Sequence, residues 1–287
     1  MKTTKVLRDM LKNRSMIMAP GAYDAWSAKL IENAGFPAVY MTGYGVSASV
    51  LGKPDIGLIT LSEMVASAKN IVASVGIPVI ADADNGFGGT LNVVRAVTEY
   101  EQVGVAAIQL EDQVTPKRCG HMEGKEVVPM EEMVAKIKAA VHARKDPDFV
   151  IIARTDARAV RGFDEALRRA KAYEAAGADV IFFEAPQSLD EMVQVSKEIK
   201  VPLLANMVEK GKTPLTKASE LNEMGYNIII YPVSLLYTAT MAIQGMLSQL
   251  KEDETTSTML DKMVSFPVFN STIQLDELRA LENSFTK

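Results

Sequence analysis

Eight short apolar runs punctuate this 287-residue chain, at 16–20, 38–42, 78–84, 106–112, 149–156, 180–186, 202–208 and 227–233. Most are apolar at successive positions rather than at alternate ones, which predicts parallel strands covered on both faces by helices. Between them, apolar residues recur at helical spacing and predict helices over 62–75, 91–103, 130–143, 163–176, 189–199 and 217–224. Several of these segments run into a glycine able to form a left-handed cap: Gly35, Gly104, Gly177 and Gly225. Eight βα repeats in a chain of this length predict an α/β fold of the (β/α)8 TIM-barrel type, one domain over 1–287. Past the eighth strand a helix is predicted over 235–250 and a polar linker over 252–258. Residues 251–287 then form a C-terminal helical extension, with Phe266, Phe269, Leu275 and Leu278 too apolar for a free tail.

In such a barrel, chemistry sits on the loops that follow the strands. Two of these are unusually long, from Thr42 to about Leu61 and from Asp112 to about Met130, a length more typical of binding loops than of connectors. Polar residues also gather at the strand ends: Tyr40 and Thr42, Asp82 and Asp84, Glu111 and Asp112, Arg154 and Asp156, Glu184, Asn206 and Tyr231. An apolar strand tolerates a buried carboxylate only when it is paired or binds a cation. Any one of these acids alone could cap the helix that follows it. Taken together, Asp82, Asp84 and Glu111, with Asp55 from the first long loop, predict an all-oxygen site around one point, suited to Mg2+ or Mn2+. Two histidines and one thiol argue against zinc.

Composition narrows the partners. A net charge of -5 disfavours a nucleic-acid partner or an anionic membrane, which call for clustered Lys and Arg. No apolar run reaches the length of a membrane span, no signal-peptide core is evident, and one cysteine cannot form an internal disulfide; the expectation is a cytoplasmic protein acting on a small molecule. That cysteine, Cys119, stands in Lys117-Arg118-Cys119-Gly120-His121, where flanking cations favour thiolate chemistry. Gly43-Tyr44-Gly45-Val46-Ser47-Ala48 fits the dinucleotide fingerprint only formally. It lies in the second βα unit, and Leu51-Gly52-Lys53-Pro54 stands where the fingerprint's helix should continue.

In order along the chain, Thr42-Gly43-Tyr44-Gly45, Leu51-Gly52-Lys53-Pro54-Asp55, Asp82-Ala83-Asp84, Glu111-Asp112-Gln113, Lys117-Arg118-Cys119-Gly120-His121, Ala153-Arg154-Thr155-Asp156-Ala157 and Glu184-Ala185-Pro186 resemble the isocitrate lyase/phosphoenolpyruvate mutase superfamily. The resemblance implies a (β/α)8 barrel whose last helix is swapped between subunits, a homotetramer built as a dimer of dimers, Mg2+ dependence, and α-oxo or α-hydroxy acid substrates. The cysteine motif is similar to that of the carbon–carbon lyases of the superfamily. Methylisocitrate lyases place an arginine where this chain has Tyr237, and Thr42-Gly43-Tyr44 stands in place of their Ser-Gly-Gly, so the resemblance implies a 2-alkylmalate such as 2,3-dimethylmalate. Methylisocitrate cleavage and oxaloacetate hydrolysis or decarboxylation are the alternatives. The implied roles are metal binding by Asp82, Asp84, Asp55 and Glu111, and catalysis by Cys119 as general acid, Arg154, and Tyr40 or Glu184 as base. Substrate contacts are implied for Thr42, Gly43, Tyr44, Cys119, Gly120, Arg154, Glu184, Asn206, Met207 and Val208.

Overall fold

A computed structural model describes residues 1–118 and 124–286. Eight parallel strands close a barrel in sequence order: β1 (Ile17–Ala22), β2 (Val39–Met41), β3 (Val79–Asp82), β4 (Ala107–Glu111), β5 (Val150–Thr155), β6 (Val180–Phe183), β7 (Leu203–Asn206) and β8 (Tyr226–Tyr231), which returns to β1. Each strand alternates between two apolar environments, as the period-two side-chain geometry requires. Ile80 on β3, Ala107 on β4, Val150 and Ile152 on β5 and Ile228 and Ile230 on β8 fill the barrel lumen. Their neighbours Ala81, Ile108, Ile151, Ala153 and Ile229 face the outer layer of helices. Both faces are therefore dry, which is why the runs read as continuous rather than alternating.

Helix α1 (Thr3–Lys12) precedes the barrel, and its Leu7 and Leu11 join the lumen cluster from the N-terminal end. Burying each contributes roughly 1.5–3 kcal/mol and closes the end remote from the chemistry. The outer layer comprises α2 (Ala25–Asn33), α3 (Gly43–Val46), α4 (Leu61–Ser74), α5 (Thr90–Val103), α6 (Met130–Ala143), α7 (Ala157–Arg161), α8 (Phe163–Ala175), α9 (Leu189–Glu198), α10 (Ala218–Glu223) and α11 (Ser234–Asp253). The N-termini of α2 and α4 are fixed by capping boxes, Asp24 with Ser27 and Thr60 with Glu63.

Helix α11 runs three residues past its predicted end, into the expected linker, and a 3-10 turn (Ser257–Lys262) leads to α12 (Phe266–Thr272) and α13 (Leu275–Ser284). These C-terminal helices lie along the outside of the barrel, with Asn33 donating to the Thr272 carbonyl, and they leave Met241, Phe266 and Leu278 exposed. Among the described residues no helix is long and apolar enough to cross a membrane.

Candidate active site

Strand parity assembles the C-terminal mouth. Tyr40 from β2, Thr42 just past it, Asp82 from β3, Glu111 from β4, Arg154 from β5, Glu184 just past β6 and Asn206 from β7 all line one cavity of about 80 Å³, with Tyr44 of α3 and Asp55, Lys117, Arg118 and Val208 from the loops. The same parity corrects one expectation. Met207 follows the inward-facing Asn206, so it turns outward into the helix-facing core, fully buried, and makes no wall of the cavity.

The glycines of the motif at 42–45 have steric reasons. A Cβ on Gly43 would lie 2.6 Å from Asp82 Oδ2, and one on Gly45 would lie 2.7 Å from Thr42 Cγ2. This close approach lets the Gly43 N–H donate to Asp82 Oδ2 at 3.3 Å. The Thr42 N–H donates to the Ala22 carbonyl, and its hydroxyl caps α3 by accepting from Gly45. The N–H groups of Thr42 and Gly43 thus already have protein acceptors, while Thr42 and Tyr44 line the cavity. The expected long loop beyond Thr42 is instead α3 followed by a π-helical turn (Ser47–Leu51), an irregularity common at functional sites.

The four predicted metal ligands share the mouth with two cations rather than standing as a bare cluster. Among the described residues no three acidic, histidine or cysteine side chains are arranged as a ready metal cage. The physical reason is charge: buried like charges repel, and two cations are interposed. Lys117 Nζ lies 2.6 Å from both Asp55 Oδ1 and Asp84 Oδ1, and Arg154 Nε lies 3.5 Å from Glu111 Oε2. Asp82 sits between these pairs, accepting from the Asp84 N–H at 3.0 Å and from Gln109 at 3.4 Å. Asp84 turns out of the strand at φ 47° and does not line the central cavity; it borders a second one with Asn85, Phe87 and Lys117.

The acids nonetheless remain under-neutralised. Burial, the repulsion of Asp82 and the repulsion of Asp55 raise Asp84 to about 7 against the pull of Lys117. Burial raises Asp82 as well, and pushes Glu111 well above the usual carboxylate range. Burial works against the charge on Lys117, but Asp84, Glu111, Asp82 and Asp55 outweigh it and hold the ammonium protonated. Asp55 Oδ1, Asp84 Oδ1 and Glu111 Oε1 are buried without a directional hydrogen bond. For the first two, the charge that faces them is the Lys117 ammonium at 2.6 Å. Buried carboxylate oxygens in this condition fit a hard divalent cation, and Mg2+ characteristically uses one or two carboxylates, keeping water and substrate oxygens as its other ligands.

On the far side, Arg154 is held by Asp156 through Nε at 2.8 Å and Nη2 at 2.9 Å and lies over the Phe182 ring at 4.9 Å, while Glu184 Oε1 is 3.5 Å from its Nη2. Asn206 donates to Glu184 Oε2 at 3.3 Å. The Tyr40 hydroxyl donates to Gln109 Oε1 at 2.7 Å, and burial, together with the charge on Asp82, raises its pKa well above the phenol value. The opposite wall is apolar, made by Val208, Ile230, Pro232 and Val233, with Tyr44 and Tyr237 packed edge to face at 6.3 Å and 83°. Sequence reasoning missed Gln109, whose position two residues before Glu111 marks the same face, and the insertion of Lys117 among the acids.

The long loop after Asp112 has two paired arms: Val114 donates to the Glu126 carbonyl and Val128 to that of Asp112. Gln113 clamps the backbone of Arg118, accepting its N–H at 2.9 Å and donating to its carbonyl at 2.8 Å. Cys119 and Gly120 lie outside the described residues.

A parallel barrel whose mouth sets an arginine and a lysine among buried carboxylates, opposite an apolar wall, defines a (β/α)8 enzyme with a site for a small polar molecule. The chain belongs to the phosphoenolpyruvate phosphomutase family, whose model matches residues 7–251. It is 55% identical over 285 residues to a 2,3-dimethylmalate lyase of Eubacterium barkeri, covering 99% of each chain. It is 47% identical over 258 residues to a 2-methylisocitrate lyase of Aeropyrum pernix, covering 90% of this chain and 83% of that one. The crystal structure of a 2,3-dimethylmalate lyase, a member of the PEP mutase/isocitrate lyase superfamily in its trigonal crystal form, matches with a TM-score of 0.94 at 42% identity, covering 99% of this chain and 95% of that one. The family and the barrel expected from the motifs are both met.

Proposed function

We propose that this chain is a Mg2+-dependent carbon–carbon lyase that cleaves a 2-alkylmalate by retro-aldol chemistry, with 2,3-dimethylmalate giving propionate and pyruvate. The observation that carries this reading is the split cavity: charged groups on one side suit a malate's two carboxylates and hydroxyl, and an apolar, Tyr237-capped wall suits alkyl groups. Asp82 and Asp84 would hold Mg2+, with Asp55 and Glu111 behind them. The ion would supply Lewis acidity to the C2 hydroxyl and to the oxygen of the forming oxo acid.

Glu184 is the base that takes the hydroxyl proton; Tyr40, whose own proton is committed to Gln109, orients rather than accepts. Arg154 offsets the negative charge that grows on the reacting oxygens. Cleavage leaves a carbanion beside the second carboxylate, and Cys119 protonates it. Tyr44, Asn206, Val208 and Gly120 complete the substrate's surroundings. The protein acts in the cytoplasm as a homotetramer, a dimer of dimers with exchanged C-terminal helices that would cover the exposed apolar residues of α11 to α13. A single assay tests the activity. Incubation with 2,3-dimethylmalate, 2-methylisocitrate and oxaloacetate, following pyruvate, succinate and oxalate, should give pyruvate fastest from the first; oxalate as the main product would replace the reading with oxaloacetate hydrolysis.

Tyr237 supplies a specificity test. A third substrate carboxylate at this wall would be buried without a bidentate cation, a cost of about 3 kcal/mol. Tyr237→Arg is expected to raise kcat/KM for 2-methylisocitrate at least ~10-fold relative to 2,3-dimethylmalate, the half-exposed position tempering the full effect. An unchanged ratio would place the discrimination elsewhere.

Metal affinity should depend on pH. Mg2+ binds the ionised carboxylate, and Asp84 titrates at about 7 in the metal-free protein, so protons compete below that pH. Calorimetric titration should show affinity level above pH 8 and weaker by roughly fivefold from pH 7 to pH 6, the ratio expected for one competing proton. A flat profile would exclude Asp84 from the site.

A further inference from the structure

The structure assigns Asp156 as a positioning residue, one whose carboxylate sets how far the Arg154 guanidinium reaches toward Glu184. The inference rests on the reading above that Arg154 and Glu184 face the reacting atoms. Arg154 has three carboxylates within reach but holds them unequally. Asp156 takes it in a fork at 2.8 and 2.9 Å, while Glu111 and Glu184 stay at 3.5 Å. A bidentate fork fixes the guanidinium plane as well as its charge. Held in this way, Arg154 places positive charge beside Glu184 without closing on it.

Asp156 is in turn fixed from two directions. Lys125, on the returning arm of the long loop, donates to Asp156 Oδ1 at 2.8 Å, so the loop that carries Cys119 and the arginine across the cavity share one carboxylate. From behind, Asp112 Oδ1 accepts the Asp156 N–H at 2.8 Å. Asp112 points away from the lumen, as the parity of β4 requires, and its Oδ2 accepts from Thr155 and Tyr173 at 2.8 Å and from Arg169 at 3.1 Å. Arg169 also donates to the Val128 carbonyl at the foot of the same arm. A carboxylate needed only to neutralise Arg154 would not require its backbone fixed by Asp112 and its Oδ1 shared with Lys125.

Two variants separate geometry from charge. Asp156→Asn removes the charge, and Asp156→Glu keeps it but displaces it by one methylene. Crystal structures of both are expected to show Arg154 moved, in Asp156→Asn to within 3 Å of Glu184. On the most active substrate of the panel, kcat is expected to fall at least ~30-fold in each with KM within about threefold. An Asp156→Glu variant with kcat within threefold of the parent, or Arg154 unmoved in both crystal structures, would overturn the proposal. So would failure of both variants to fold, since a role in the fold would then account for the carboxylate. If no substrate of the panel turns over, the lyase reading fails while the crystal structures still decide the positioning role.

Discussion

Asp84→Ala is expected to abolish Mg2+-dependent turnover, lowering it at least ~1000-fold, the size of effect that follows from losing several kcal/mol of charge stabilisation in the transition state. The same variant should give no heat of Mg2+ binding by calorimetry. The fold should survive. Lys117 keeps Asp55 at 2.6 Å as its counter-ion, and removing Asp84 relieves the like-charge repulsion that burial imposes on Asp82. The local cost lies in the backbone, since alanine at φ 47° is strained by roughly 1–2 kcal/mol. Asp84→Asn controls for that cost, because asparagine accepts the left-handed conformation and keeps the shape while losing the charge. Both variants should lose the metal response, with only the alanine variant losing thermal stability. A normal Mg2+ response in Asp84→Asn would move the cation to another set of groups.

The barrel was legible because its signal is local. Each strand carries its own pattern, so β4 alone, with Ala107, Gln109 and Glu111 on one face and Ile108 and Leu110 on the other, already separates lumen from helix layer. The residues at the mouth followed from the same count of two, and Met207 is the position where that count was not applied. Pairing between loops is a different matter. Nothing at Lys117 states that its ammonium lies between carboxylates 33 and 62 positions earlier in the chain, because that contact depends on how the arm beginning at Gln113 is folded back and clamped. The expectation of four acids around one ion counted the carboxylates without the cations that make their burial tolerable. The irregular segments were missed for a related reason. The π-helical turn at 47–51 and α7 are short, and what fixes them lies beyond their own periodicity: the Ser47 hydroxyl donates to the Lys53 and Pro54 carbonyls past the turn, and Asp156, the residue just before α7, is held by Asp112 from just past another strand.

Cys119→Ser is expected to cut kcat at least ~100-fold with KM nearly unchanged, the usual weight of one positioned general acid. Serine keeps the shape and the hydrogen-bonding ability of the side chain, but a hydroxyl gives up its proton far less readily than a thiol, whose ordinary pKa is about 8.5. Carbon–carbon cleavage leaves a carbanion that must be protonated before product leaves, so the loss falls on turnover rather than on binding. The neighbouring residues support this placement: Arg118 lines the cavity, its backbone clamped by Gln113, and Lys117 is buried among the acids at 4% exposure. Two readouts make the result specific to the thiol. Iodoacetamide should inactivate the parent enzyme and leave the residual activity of Cys119→Ser untouched, because no other cysteine exists in the chain. Cleavage in deuterium oxide should deliver deuterium to the carboxylate product with one stereochemistry in the parent and with mixed stereochemistry in the variant, where water replaces the thiol as proton donor. Near-normal rates in Cys119→Ser, or a single stereochemistry in both proteins, would remove the thiol from the reaction and leave the proton to another group at the mouth.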